Sequence, residues 1–280
     1  MTTAKTMLLQ RMEQQQTLLC CGLDPDLRQL PSEVFSQPIT DEDKVLQFLQ
    51  KVVDTTALHV CAYKAQKAFF DLLSGGHDVL KSIVAYIHQW HPGIPIIIDC
   101  KVGDIDNTMQ VYLDNIFGHI EADGIVVNPY MGDDVVVPCK GFSDKLVVVL
   151  VKTSNPGGVV VQDLLLQDGR RLWEHMLDFV TTRWNENQNM VPVISSTATL
   201  DFLDVRKRIP DDMPILLAGV GAQGGSYAEI RKLLNSEGLG VFVNSSRGIL
   251  YPFADPGTPW QQVVEAAAID LKNTLNDQRR

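Results

Sequence analysis

At 280 residues the chain is long enough for one large α/β domain or two small ones. Its apolar share of 45% and charged share of 21% are those of a soluble globular protein, with material for a core that needs no disulfide or metal staple. A formal net charge of −10 argues against broad affinity for nucleic acid or membrane, so an anionic ligand would need a local cluster of Lys and Arg.

In chain order, a first helix is predicted over residues 7–16, with Leu8, Leu9 and Met12 on one face. Residues 17–23 read as a short apolar strand ending at Asp24-Pro25-Asp26. Thr40-Asp41-Glu42-Asp43 marks a helix start with acids in its first turn, continued by Val45, Phe48, Leu49 and Val52. A second strand over 57–63 ends at Lys64, and residues 68–73 and 77–90 read as helix. The third strand, 94–101, carries Ile96-Ile97-Ile98 into Asp99-Cys100-Lys101, followed by Val102-Gly103-Asp104-Ile105-Asp106-Asn107-Thr108. A helix over 107–121 leads to a fourth strand at 124–130.

The fifth strand, 145–152, is almost wholly valine and leucine and ends in Thr153-Ser154-Asn155-Pro156-Gly157-Gly158. A helix follows within 164–185, containing Trp173, Met176, Leu177 and Val180. The sixth strand, 190–195, runs into Ser195-Ser196-Thr197-Ala198-Thr199, and a helix over 200–208 comes next. The seventh, 214–218, ends in Gly219-Val220-Gly221-Ala222-Gln223-Gly224-Gly225 and precedes a helix at 227–234. The eighth, 240–244, ends in Ser245-Ser246-Arg247-Gly248, and a last helix spans 259–275.

Eight apolar strands alternating with helices predict an α/β fold, a (β/α)₈ barrel. It is expected as a single domain over 1–280 with a helix before the first strand. The strands are continuously apolar rather than alternating, as strands covered on both faces are. The five cysteines form no C-x-x-C pair, which suggests a reducing, cytoplasmic setting. The N-terminus has no apolar leader, and no run is long enough to cross a membrane.

In such barrels the active site lies at the C-terminal ends of the strands. Those ends supply Asp24, Lys64, Asp99, Lys101, Asp104, Ser154, Gln223 and Arg247. Asp99 and Lys101 are two apart on a strand and face the same way. Charges at the tip of a buried strand must be paired, so one reading is a structural ion pair. The other is an acid–lysine site with perturbed pKa values, and the number of ionisable groups at one rim favours it. The loops after strands seven and eight usually hold phosphate in this architecture. Here their glycines, Gly224 among them, allow backbone N–H groups to approach phosphate oxygens, and Arg247 offers paired hydrogen bonds.

Gly219 to Gly224 also fits G-x-G-x-x-G, the dinucleotide fingerprint, but the next strand ends in Asn244 and Ser245 rather than an acid. Asp24, Asp99 and Asp104 could ligate Mg²⁺, yet Lys64 and Lys101 interleave with them and would compete with a metal. The histidines show no zinc spacing. Neither a metal nor a cofactor is expected.

The residues resemble one family closely, orotidine 5′-phosphate decarboxylase. The D-x-K-x-x-D-I-x-x-T signature is present as Asp99, Lys101, Asp104, Ile105 and Thr108. Gly22-Leu23-Asp24, Tyr63-Lys64, Ser154-Asn155-Pro156-Gly157, Gly219 to Gly224 and Ser246-Arg247-Gly248 match in order. The resemblance spans roughly 18–250 and is greatest to the bacterial branch with G-L-D-P-D. It implies a cofactor-free conversion of orotidine 5′-monophosphate to uridine 5′-monophosphate, with Lys101 stabilising and protonating the C6 carbanion and Asp99 beside the substrate carboxylate. Lys64 and Asp104 would complete the charge array, with Asp24 and Lys64 on the ribose. Ser154 would read the pyrimidine, Gln223 would bridge base and phosphate, and Arg247 would clamp the phosphate. The resemblance also implies a homodimer in which Asp104, Ile105 and Thr108 reach the partner's site.

Two other readings are weighed against it. A Mg²⁺-dependent sugar-phosphate decarboxylase or aldolase of the same barrel group would lack Ser154 and Gln223. A catalytically silent nucleotide-binding protein would lack Asp99 or Lys101.

Overall fold

The computed structural model describes residues 2–220, 224–252 and 257–279. Among them, eight parallel strands close into a barrel in chain order. They are β1 (Leu19–Leu23), β2 (Ala62–Gln66), β3 (Ile96–Val102), β4 (Gly124–Val127), β5 (Leu146–Leu150), β6 (Met190–Ser195), β7 (Ile215–Ala218) and β8 (Val241–Ser245). The circle shuts where Leu19 pairs with Val243 and Cys20 with Asn244. Side chains such as Leu19, Ile97, Ile125, Val148, Ile194 and Leu217 are fully buried, so the continuous valine, leucine and isoleucine runs fill both the barrel and the layer beneath the helices.

The N-terminal helix Ala4–Gln14 covers the end of the barrel from which the strands start. Thr3 caps it by accepting the Thr6 N–H, and Leu8 and Met12 are fully buried. Arg11 donates to the carbonyls of Ala57 and Val60 at the approach to β2. On the outside, the helices Asp41–Thr56 and Trp260–Asp277 meet through the Phe48 and Trp260 rings, with centroids 5.2 Å apart.

Several predicted boundaries move. Residues 57–60 are not strand, because the helix begun at Asp41 runs on to Thr56, whose hydroxyl donates to the Val52 carbonyl at 2.7 Å and meets the Tyr63 hydroxyl at 2.9 Å. Lys64 therefore lies within β2, paired with Ile97, rather than beyond its tip. The fourth strand stops at Val127, where the Asn128 side chain accepts the Tyr130 N–H and Pro129 begins a 3₁₀ turn. The helix predicted to reach residue 121 is α-helical over Asp106–Leu113 and continues as a π turn over Asp114–His119. The long helix predicted within 164–185 is divided. Asp168-Gly169, with Gly169 at φ +82°, forms a turn that closes a bridge between Leu165 and Arg171, and the helix proper is Leu172–Thr181.

Candidate active site

The site is built on an irregularity in β3. Ile98 pairs with Ile125 and Val102 with Val127, so four steps along β3 match two along β4. Such a bulge re-aims the side chains it contains. Lys101 takes up the slack in the left-handed region at φ +46°, a conformation costly for a side chain of its kind. Asp99 and Lys101 meet at this irregularity. Asp99 Oδ1 accepts from Lys101 Nζ at 2.7 Å, and its Oδ2 accepts from Lys64 Nζ at 2.6 Å. One carboxylate is thus held between two ammonium groups. Asp99 and Lys64 are buried, while the Lys101 side chain is 45% exposed and faces open space.

The charges sustain one another. Burial alone would raise the Asp99 carboxyl, but Lys64 and Lys101 hold it below the usual carboxylate range. Burial would likewise lower the Lys64 ammonium, and Asp99 and Asp24 beside it keep it above the ordinary lysine value. A depressed carboxyl contributes stability above its unfolded pKa that is lost as pH falls through the folded one. A raised ammonium contributes stability below its unfolded pKa that is lost as pH rises through the folded one. Asp99 and Lys64 should therefore stay charged between about pH 5 and pH 9. Replacing Asp99→Asn leaves Lys64 buried against a neutral partner and should cost about 3 kcal/mol of stability. In thermal melts the gap between the two proteins should be constant across that window and shrink below about pH 4. A gap that widened toward acid would contradict the assigned charges.

The same rim presents the other predicted groups. Asp24 accepts the Gln66 N–H at 3.3 Å, which ties the end of β1 to β2. The Tyr251 hydroxyl donates to the Asp24 carbonyl at 3.1 Å and accepts the Asp26 N–H at 2.7 Å, fixing the same corner from the far end of the chain. A cavity of about 710 Å³ opens here, lined by Asp24, Lys64, Asp99, Lys101, Ser154 and Arg247. That is the size and polar content of a small-ligand site. A larger hollow of about 1060 Å³ lies alongside and shares Ser154 and Arg247 but not the Asp99 triad, so the smaller one is the candidate site.

Not every predicted residue converges. Asp104, Ile105 and Thr108 are absent from the lining of this cavity. Asp104 accepts the Ile105 N–H at 2.8 Å, and Ile105 and Thr108 are exposed. Gly224 takes φ +89°, as a loop glycine does, and also lies off the lining. Gln223 lies outside the described residues. The cavity adds Phe69, Asn128 and Asn244, which reading the sequence missed. Asn128 and Asn244 both sit at or next to strand ends, and that position was the available signal. An uncharged amide at a strand end resembles ordinary turn chemistry.

Comparison with known proteins points to one family. The profile of the orotidine 5′-phosphate decarboxylase / HUMPS family matches residues 17–261. A protein of Bordetella petrii named orotidine 5′-phosphate decarboxylase is 40% identical over 264 residues, covering 94% of each chain. A protein of the same name from Aromatoleum aromaticum is 38% identical, again over 94% of each. Among solved structures, the OMP decarboxylase of Leishmania donovani superposes with a TM-score of 0.83 at 30% identity, covering 99% of both chains.

Proposed function

The chain belongs to the orotidine 5′-phosphate decarboxylase / HUMPS family, and from that premise we propose how its own residues carry the reaction. It is an enzyme that decarboxylates orotidine 5′-monophosphate to uridine 5′-monophosphate. In class it is a carbon–carbon lyase, and the barrel with its N-terminal helix acts as one domain.

The observation that carries the mechanism is the Asp99 carboxylate held between Lys64 and Lys101 at the mouth of the cavity. Cleavage of the bond from C6 to the carboxylate leaves its electron pair on C6. Lys101, the exposed end of the triad, supplies a fixed positive charge toward that developing carbanion and then gives it a proton. CO₂ leaves, and the Lys101 amine regains a proton from solvent. A preorganised cation costs no reorganisation at the moment of reaction, which is where such groups lower a barrier most. Asp99 sits beside the departing carboxylate, and Lys64 keeps Asp99 ionised. Asp24 and Lys64 take the ribose hydroxyls, Ser154 the pyrimidine edge and Arg247 the phosphate.

The Mg²⁺-dependent alternative is not favoured. Both Asp99 oxygens are already engaged by ammonium groups, and Ser154 lines the cavity where a base would lie. The direct test is the change in pyrimidine absorbance on adding orotidine 5′-monophosphate, with and without a chelator. Turnover indifferent to chelator supports this reading, and turnover abolished by it would restore the metal-dependent one.

Arg247→Ala should weaken uridine 5′-monophosphate by about 10- to 100-fold, the loss of charge-assisted bonds, while uridine binding changes little. Titration of both ligands measures this. Equal weakening would remove Arg247 from the phosphate.

The protein functions as a homodimer. Ile105, Val111, Tyr112, Tyr130, Met131 and Val137 are exposed, and they lie on elements packed against one another beside the end of β3. An apolar surface of that extent is what a second copy would cover. Asp104, Ile105 and Thr108 stand at its edge and would enter the partner's cavity. The cysteines at 20, 21, 61, 100 and 139 are unpaired, four of them buried, which suits a cytoplasmic setting. No helix among the described residues is long and apolar enough to cross a membrane.

A further inference from the structure

The segment after β6, Ser195-Ser196-Thr197, has no role in the mechanism above, yet it touches the two loops on which ligand recognition depends. On one side Thr197 Oγ1 donates to the backbone carbonyl of Ser154 at 3.2 Å. Behind it, the Ser195 and Thr197 hydroxyls are 2.8 Å apart, and the Thr197 N–H donates to Ser195 Oγ at 3.1 Å. One set of hydrogen positions satisfies all three contacts. The Thr197 N–H goes to Ser195 Oγ, the Ser195 hydroxyl to Thr197 Oγ1, and the Thr197 hydroxyl to the Ser154 carbonyl. Ser195 is fully buried, so this ring fixes the Thr197 hydroxyl in the direction of Ser154.

On the other side Ser196 grips the loop after β7. Its N–H and its hydroxyl both donate to the Ala218 carbonyl, at 2.8 and 2.9 Å. Gly225 closes the same loop by donating to Gly219 O at 3.1 Å. A Cβ on Gly225 would stand 2.0 Å from Ser196 Oγ, so only glycine allows this approach. Adjacent residues of one short segment therefore hold the backbone of Ser154 and the root of the glycine-rich loop.

We infer that Ser195-Ser196-Thr197 is a positioning clasp that sets the place of Ser154 for the pyrimidine relative to the loop after β7, with Thr197 as the residue on which base recognition depends. The inference rests on the reading of Ser154 as the residue that meets the pyrimidine. Thr197 is itself exposed and touches no reacting atom, and its bond goes to backbone, which leaves the Ser154 hydroxyl for a ligand.

The test compares Thr197→Val, Thr197→Ser and Ser154→Ala with the unaltered enzyme, using uridine 5′-monophosphate and ribose 5-phosphate as binding probes. Thr197→Val keeps the shape and removes the hydroxyl. It should weaken uridine 5′-monophosphate, and raise the KM for the substrate, by about threefold to tenfold, the worth of one lost hydrogen bond. Ribose 5-phosphate, which has no base, should bind as before, and kcat should stay within about twofold. Thr197→Ser should restore the wild-type values. In the Ser154→Ala background Thr197→Val should add nothing further. Equal weakening of both probes, or no weakening of either, overturns the clasp as a base-positioning device. Failure of the unaltered enzyme to turn over substrate would instead overturn the decarboxylase reading, and the two binding probes still decide the clasp.

Discussion

Lys101→Ala should reduce kcat by about 10³-fold or more while uridine 5′-monophosphate binds within a few-fold of the unaltered enzyme. The asymmetry follows from the triad. Lys101 is its exposed end, and removing it leaves Asp99 still bonded to Lys64 at 2.6 Å. The buried carboxylate keeps a cation, the barrel keeps its β3–β4 irregularity, and the pocket for ribose and phosphate is untouched. On the proposed mechanism, what disappears is the charge aimed at C6 and the proton it delivers, both of which matter only as the carbon–carbon bond breaks. Single-turnover measurements with direct titration of product would separate the two effects. Near-normal kcat would remove Lys101 as proton donor. Binding that fell as far as kcat would make Lys101 a ground-state contact instead.

The parts of this site that were legible in the sequence are those fixed by strand periodicity. Asp99 and Lys101 share a face because they are two apart on a strand, and the barrel places the ends of β1, β2, β3, β5 and β8 at one rim whatever the loops do. Asp24, Lys64, Ser154 and Arg247 fall around one cavity for that reason. The bulge was not legible. Nothing in Ile98-Asp99-Cys100-Lys101-Val102 announces two extra residues against β4, because register is set by the partner strand.

Helix ends were misread where tertiary contacts overrode local propensity. The helix from Asp41 carries Val52, Val53 and Thr56 as buried residues, and packing holds this β-branched stretch helical up to Thr56. The clasp after β6 was visible as an unexplained Ser-Ser-Thr, but its meaning lies in contacts 22 and 43 residues away along the chain. A sequence without its fold does not join such positions.

Mixing two inactive variants should regenerate activity if the active site is shared between copies. Asp104 and Lys101 are only three residues apart, yet they part company: Lys101 turns into the cavity, and Asp104 is absent from its lining. If Asp104 serves the neighbouring copy, a Lys101→Ala chain paired with an Asp104→Asn chain contains one site with both lesions and one with neither. Random reassociation makes half of all dimers mixed, and each of these has one intact site. Activity should therefore rise from near zero to about a quarter of the unaltered enzyme. The recovery should depend on exchange of subunits, so it should appear after dilution and reconcentration and track the mixed dimer on a tagged column. If Asp104 acts within its own chain, every site in every dimer carries one lesion and no recovery is possible. That outcome, or a fully active monomer at assay concentration, would assign the exposed surface around Ile105, Tyr112 and Tyr130 to something other than the completion of the site.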